Sequence, residues 1–180
     1  MFLDEAGFHI GSVAGTTWGL CGGTPVLPCH GRGWGKVNAA PGLIVSPGVR
    51  RHPRLCFRLF EANINGALFA LFVRDLLREV RGEIIFIWDG WSAHKGPEVR
   101  AVLKDNPRAS VRLLPAYAPE LNPVEGVWCH NKRVGLRGFV AEDTDDLYLE
   151  TGAALRQAAD SQQVLRGCVK ETPLRIVGVT

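Results

Sequence analysis

Hydrophobic and polar positions alternate with a helical period between residues 65 and 80. Charged side chains fill the positions between the apolar ones, and Asn65 stands where an N-cap is favoured. The apolar positions are Phe69, Phe72, Val73, Leu76, Leu77 and Val80. This pattern predicts an amphipathic helix. The unbroken apolar run at residues 84–88 has the length of a strand and predicts one that is covered on both faces of a sheet.

The rest of the chain predicts a mixed α/β domain. Further strands are expected at residues 2–10, 37–46, 55–60 and 110–114, and a long hairpin or irregular excursion at residues 11–35. Further helices are expected at residues 96–104, at residues 122–134, and from after Thr144 to before Ser161. Three strands followed by alternating helices and strands indicate a single domain over residues 1–180 with an antiparallel front half.

Composition and charge narrow the class of protein. The 180 residues are 46% hydrophobic and 22% charged, as in an average globular domain. The longest apolar stretch, residues 66–73, is well short of the roughly 20 residues that span a bilayer. Acids at positions 4 and 5 replace the basic start of a secretory signal, so we expect a cytoplasmic protein with no membrane partner.

The charge is distributed unevenly. Net charge is +3; residues 1–140 carry 17 basic side chains against 11 acidic ones, and residues 141–180 carry 4 against 7. A polyanion lying on the basic body is compatible with this asymmetry. A solvated mixed surface is the commoner cause of so small an excess.

The five cysteines indicate neither a disulfide framework nor a zinc site, because they are scattered, odd in number and without a C-x-x-C pair. They are Cys21, Cys29, Cys56, Cys129 and Cys168. Two are followed by histidine, but adjacent residues of a strand point to opposite faces. We therefore expect buried free thiols.

Three carboxylates carry the candidate chemistry. Asp4 lies within the first predicted strand, Asp89 ends the apolar run at residues 84–88, and Glu125 lies in the first turn of a predicted helix. Ligands bind at the carboxyl edge of open α/β sheets, so Asp89 is the strongest single candidate. Converging carboxylates repel one another unless cations are present, and Mg²⁺ prefers such oxygen ligands. Two ions about 3.5–4 Å apart would suit phosphodiester chemistry.

Each acid also has a purely structural interpretation. Glu125 follows Asn122 by three residues and fits a capping-box-like helix start. Asp89 and Gly90 fit a strand-ending turn, and Asp4 fits a polar start to the chain.

Three motifs, read together, resemble the DDE transposases of the bacterial insertion-sequence branch of the Tc/mariner superfamily. They are FLDEAGFH at residues 2–9, IWDGWSAHK at residues 87–95, and the long and specific LPAYAPELNPVEGVW at residues 114–128. The resemblance implies a ribonuclease H-like α/β fold, in which a central mixed sheet of three antiparallel strands followed by parallel strands is flanked by helices. It implies that Asp4, Asp89 and Glu125 bind two Mg²⁺ ions, with Mn²⁺ as a substitute. The 35 residues between Asp89 and Glu125 fall in the family's range.

The resemblance also implies an activity and partners. Such enzymes nick DNA at transposon ends and join the freed 3′ hydroxyl to target DNA, so the expected partners are both DNAs, a second copy in a synaptic homodimer, and the nucleoid. The family's helix-turn-helix modules are not expected ahead of Asp4, so a separately encoded partner would supply them. The alternatives are a catalytically silent relic that only binds DNA or assembles, and a cellular ribonuclease H-like nuclease.

Other matched positions receive supporting roles. His94 would position substrate or metal-bound water, or be a core or capping histidine, and Asn122 would order the turn that presents Glu125. The basic residues after the Glu125 helix are candidate phosphate contacts or simply a solvated helix end; they are Lys132, Arg133 and Arg137. The tryptophans fit core or rim packing better than base stacking; they are Trp88, Trp91 and Trp128.

Overall fold

The computed structural model describes residues 1–11, 19–24, 26, 35–46 and 52–175. Most of the predicted excursion at residues 11–35, with Cys29, lies outside these residues. The strands are β1 (Phe2–Leu3), β2 (Ala6–His9), β3 (Lys36–Ile44), β4 (Arg54–Phe60), β5 (Ile84–Trp88) and β6 (Ala109–Leu113). The helices are α1 (Gly66–Glu79), α2 (Pro97–Lys104), α3 (Val124–His130), α4 (Thr144–Asp160) and α5 (Gln162–Lys170). No helix in these ranges is long and apolar enough to cross a membrane.

One mixed sheet forms the centre of the molecule. β3 pairs antiparallel with β4 on one side and with β1 and β2 on the other. β1 then pairs parallel with β5, and β5 pairs parallel with β6. The predicted arrangement, with antiparallel strands first and parallel strands after them, is confirmed.

The predicted strand at residues 2–10 is wrong as one continuous element, because it breaks at Asp4 and Glu5. The pairing register with β3 is the same before and after the break, and it places Asp4 opposite Pro41. Proline has no N–H to donate to the ladder. The Asp4 carboxylate also accepts the Glu5 N–H at 2.9 Å, which competes with sheet pairing. Asp4 therefore lies in the interruption and not within a strand.

Two apolar cores lie on opposite faces of the sheet, because successive strand residues point to opposite sides. Phe2 contributes to the core under α3, α4 and α5, whereas Leu3 contributes to the core under α1 and α2. The strand β5 was expected to be covered on both faces, but Ile85 is half exposed. Only its end near Ile87 reaches the core beneath α3 to α5.

The helix α1 begins as predicted, since the Asn65 side chain accepts the Leu68 N–H at 3.0 Å. The helix predicted at residues 122–134 is confirmed as a continuous helical run over residues 124–135, although its last turn is not α-helical. A 3₁₀ turn at Pro119–Leu121 precedes α3, and a π-helical turn at Asn131–Gly135 follows it. The helix α5 was not predicted, and the expectation of buried thiols is wrong for Cys21 and Cys129, which are exposed.

Replacing Thr151 by valine is expected to stabilise the protein by about 1 kcal/mol. Thr151 is fully buried in α4, and its hydroxyl has no hydrogen-bond partner among the residues described. An unpaired buried polar group costs about 1–3 kcal/mol, and valine has nearly the same shape. Chemical denaturation would measure the change.

The matched control for this substitution is Thr172→Val. The Thr172 hydroxyl donates to the Val169 carbonyl oxygen at 2.8 Å. We expect this control to lose about 0.5–1.5 kcal/mol. Equal losses in the two variants would show that Thr151 has a partner after all.

Candidate active site at the carboxyl edge of the parallel strands

The parallel strands bring two of the predicted carboxylates to one edge of the sheet. β1 and β5 pair with Phe2 opposite Ile87, and the Ile87 N–H donates to the Met1 carbonyl oxygen at 2.8 Å. Continued for two residues, this register places Asp4 level with Asp89. Neighbouring strands lie about 4.8 Å apart, so the two backbones leave the sheet side by side.

The Asp4 carboxylate lies on the α3 side of the sheet. One oxygen accepts the Glu5 N–H, and the other accepts the Trp128 indole N–H at 3.2 Å. Burial raises the pKa of Asp4 to about 7, and the charges of Glu5 and Glu125 add to the rise, whereas the two hydrogen bonds oppose it. Burial and the nearby charge of Glu125 therefore both make ionisation of the Asp4 carboxyl unfavourable.

Asp89 is more open, with 60% of its side chain exposed. Its Oδ1 accepts the Trp91 N–H at 2.9 Å, which is the strand-ending turn that the structural interpretation of this residue predicts. The same oxygen lies 3.1 Å from Nδ1 of His94. The two interactions fix the orientation of an otherwise exposed carboxylate.

His94 is held between two acids. Its ring is almost completely buried; Nε2 lies 3.0 Å from Oε1 of Glu5, and Nδ1 faces Asp89. Burial lowers the pKa of His94, but the hydrogen bond and charge of Glu5, together with the carbonyl and charge of Asp89, outweigh it and raise the pKa. Phe69 and Trp88 pack against the ring, with centroids 4.4 and 5.3 Å away. The histidine lies behind Asp89, and both of its nitrogens are engaged.

Glu5 is a functional candidate that the sequence analysis missed. Side chains alternate between the two faces of the sheet along residues 2–5, so the sequence alone could have placed Glu5 on the face of Leu3 and Asp4 on the face of Phe2. His94 lies on the face of Leu3 and Glu5. What could not be read from the sequence is that His94, 89 residues away, meets Glu5 there.

Glu125 is exposed in the first turn of α3. The buried side chain of Asn122 fixes this turn, because its Oδ1 accepts the Val124 N–H at 3.2 Å. Its Nδ2 donates to the Leu3 carbonyl oxygen at 3.3 Å. Asn122 thus connects the residue before Asp4 to the helix that carries Glu125.

The basic side chains after α3 are exposed. The Lys132 ammonium lies 5.8 Å from the centre of the Phe8 ring, which packs edge-on against Trp128. Lys132 is therefore near the Asp4 side of the site. Trp88 and Trp128 are buried, and Trp91 is 38% exposed at the rim, as core and rim packing predicts.

The donor set fits a magnesium ion. Within the described ranges, no three His, Cys, Asp or Glu side chains are already positioned as a metal cage. Mg²⁺ does not need one, since it is usually held by one or two carboxylates with water and substrate phosphates. The partly buried Asp4, together with Glu5 and Glu125 whose charges act on it, forms an excess of negative charge that a cation would neutralise.

The arrangement of strands and helices is that of a ribonuclease H-like transposase catalytic domain. The Mos1 mariner paired-end complex with Mn shares 16% sequence identity at a TM-score of 0.66, over 94% of this chain and 51% of that chain. The Mos1 strand transfer complex shares 17% sequence identity at a TM-score of 0.65, over 94% of this chain and 50% of that chain. The Mos1 transposase paired-end complex with the left transposon end shares 15% sequence identity at a TM-score of 0.65, over 96% of this chain and 51% of that chain. At these identities the likeness shows the fold, and the chain spans about half the length of each matched chain.

Residues 1–147 match the DDE superfamily endonuclease family. The chain belongs to this family, since the match covers most of its length, and the predicted resemblance to DDE enzymes is confirmed at this level. The fold is the one that the Mos1 mariner structures share. A comparison with curated proteins gave no match.

Proposed function

We propose that the protein is a transposase catalytic domain that nicks DNA at transposon ends and joins the 3′ hydroxyl to target DNA. One observation carries the proposal: Asp4 and Asp89 directly follow adjacent parallel strands at the same level, and the charge of Glu125 acts on the partly buried Asp4. The family of endonucleases to which the chain belongs supports the same chemistry.

Asp4, Asp89 and Glu125 are the residues we propose to hold divalent metal, two Mg²⁺ ions or Mn²⁺ in their place. When bound, such ions stabilise the attacking and leaving oxygens of an in-line displacement at phosphorus. Complexes of the Mos1 neighbours with Mn and with Mg support this choice of metals.

The chain's own residues preorganise the carboxylates. The Trp128 indole and the Glu5 N–H fix the two oxygens of Asp4. His94, backed by Glu5, acts as a positioning residue for Asp89, and we assign it no contact with the reacting atoms. Asn122 holds the start of α3, which sets the distance between Glu125 and Asp4. Since catalytic groups tolerate little misplacement, these contacts govern the rate.

The proposed partners are transposon-end and target DNA and a second copy of the chain. Lys132 and Arg133 are exposed cations on the α3 side and serve as proposed phosphate contacts, together with Arg137. The solved paired-end complexes of Mos1 transposase support both DNA and pairing. A separate helix-turn-helix partner stays a prediction.

Nicking of supercoiled plasmid DNA tests the proposal. With Mg²⁺ or Mn²⁺ we expect the chain to convert supercoiled to open-circular DNA, and EDTA to stop it. Asp89→Asn removes the negative charge but keeps an oxygen that can accept the Trp91 N–H. Glu125→Gln likewise removes the charge of the proposed ligand on α3. Each substitution is expected to lower the nicking rate at least about 100-fold, because each removes a proposed metal ligand.

Glu120→Gln is the matched control for Glu125→Gln, since Glu120 is an exposed acid in the 3₁₀ turn before α3. It should leave the rate unchanged. Nicking that survives both substitutions would refute the proposal, and folded protein that does not nick with either metal would refute nuclease activity of this chain by itself. Preferential cleavage of the RNA strand of a hybrid would favour a cellular ribonuclease H-like nuclease.

A further inference from the structure

Tyr117 has a backbone conformation that its side chain does not favour. Its φ is +57°, in the left-handed region, and it is the non-glycine residue found there within the described ranges. For L-residues this region brings Cβ too close to the following carbonyl oxygen. Such strain persists only where the surrounding structure imposes it, and it is concentrated at functional sites.

The Tyr117 ring is not buried, so burial does not offset the backbone strain. The side chain is fully exposed, and no hydrogen bond or ring contact of Tyr117 is found in the described part of the chain. Burial of an aromatic ring is its usual contribution to stability. The strained loop therefore presents the ring to a ligand and not to the core.

The loop places this ring beside the proposed active site. β6 pairs parallel with β5 with Trp88 opposite Leu113, and the Leu114 N–H donates to the Trp88 carbonyl oxygen at 2.8 Å. Leu114 is thus level with Asp89, and Tyr117 follows only three residues later. The loop then runs through the 3₁₀ turn to α3, which carries Glu125.

A free cation lies at the same edge. The Lys95 ammonium is 3.6 Å from the position that a Cβ on Gly90 would occupy, directly after Asp89. Lys95 is exposed, and its ammonium makes no ion pair among the residues described. Close to an aspartate that we propose to bind metal, this cation is suited to a phosphate group.

We propose that Tyr117 is a stacking platform for an unpaired nucleobase beside the scissile phosphate, and that Lys95 contacts the phosphate of the same strand. An exposed aromatic face combined with a cation along the backbone is how proteins hold single-stranded nucleic acid without reading its sequence. The inference rests on the proposed function, because it specifies that the DNA near the carboxylates is unpaired.

Binding to two DNA probes tests the inference. One is a duplex with a short 3′ overhang carrying 2-aminopurine, and the other is the blunt duplex of the same sequence. Wild type and Tyr117→Phe are expected to quench 2-aminopurine fluorescence by stacking. Tyr117→Ala and Tyr117→Gly should lose the quenching and bind the overhang about 5- to 100-fold more weakly, with blunt-duplex affinity unchanged.

Stability supplies a second readout that a merely structural tyrosine would not give. Glycine adopts a positive φ without strain, so Tyr117→Gly is expected to raise the Tm by about 2–4 °C while weakening overhang binding. Lys95→Gln should lower the number of counterions released on binding, measured from the salt dependence of the affinity, by about one. Leu149→Ala removes another exposed apolar side chain, on α4, and should change none of these values.

The outcomes separate the inference from the proposed function. Overhang binding and quenching that are equal in wild type and Tyr117→Ala would overturn the stacking role, whereas Asp89-dependent nicking by the same preparation would leave the proposed function intact. Equal weakening on both probes, or no quenching by wild type, would also overturn it. Stacking without nicking would instead count against the nuclease and not against the platform.

Discussion

Asp4→Asn is expected to make the protein more stable at pH 8, by about 3 kcal/mol. A rise in the pKa of Asp4 from 3.8 to about 7 means that ionising this partly buried carboxyl costs on the order of 4 kcal/mol. Asparagine removes that cost. The substitution also loses one of the two hydrogen bonds that the carboxylate accepts, either from the Glu5 N–H or from the Trp128 indole N–H. That loss costs about 1 kcal/mol.

The pH dependence gives the sign of the effect. Because the folded pKa of Asp4 is above the unfolded one, the folded state binds more protons between pH 4 and 7, and wild-type stability falls as pH rises through that window. The loss is complete above the folded pKa. Asp4→Asn lacks this loss, so its advantage should be largest at pH 8 and should disappear near pH 4.

Thermal unfolding at pH 4, 6 and 8 measures the difference. At pH 8 we expect the Tm of Asp4→Asn to be about 6–12 °C above that of wild type. Glu61→Gln, an exposed acid in the bend after β4, is the control and should show no such pH dependence. Adding Mg²⁺ at pH 8 should stabilise wild type and not the variant, if Asp4 is a metal ligand. A difference that does not change between pH 4 and 8 would rule out ionisation of Asp4 as its origin.

His94→Ala is expected to destabilise the protein by about 3–4 kcal/mol at pH 6. The substitution opens a cavity between Phe69 and Trp88 and leaves the half-buried Glu5 carboxylate without its partner. Removing one member of a buried pair costs about 3–5 kcal/mol. Since interactions with Glu5 and Asp89 raise the pKa of His94, their contribution is complete below pH 6.5 and is lost as pH rises through the folded pKa. The penalty should therefore be smaller at pH 9.

A double-mutant cycle with Glu5→Gln separates the pair from the packing. We expect a coupling of about 1–3 kcal/mol at pH 6 and less at pH 9. His130→Ala, at the end of α3 and partly exposed, is the control and should cost less than about 1 kcal/mol. Additive effects of the Glu5 and His94 substitutions would mean that the two side chains do not interact.

These two predictions describe one carboxylate that reduces stability, Asp4, beside an acid–histidine pair that adds to it. Asp4 is partly buried, with the charges of Glu5 and Glu125 acting on it, and His94 keeps Glu5 paired on the opposite face of the sheet. An apolar residue at position 4 would suit the core better. The retained carboxylate is consistent with a cation-binding role, since real proteins depart from packing rules at functional sites.

Local sequence determined most of the elements of this protein. The period of 3.6 residues and Asn65 placed α1, the apolar run placed β5, and the long motif at residues 114–128 located Glu125 in the first turn of a helix. These features depend on contacts within a few residues, so they are visible in the chain itself.

The tertiary structure decided where the site residues meet. The break at Asp4 arises because the sheet register brings Pro41 opposite it, and the pairing of Glu5 with His94 joins residues 89 positions apart. The π-helical turn after α3 likewise has no local signal, and it packs against α4. Register and long-range packing are set by the whole core, so no window of sequence contains them. The sequence thus specified which carboxylates to consider, and only the folded sheet decided which of them are partly buried, paired or open to solvent.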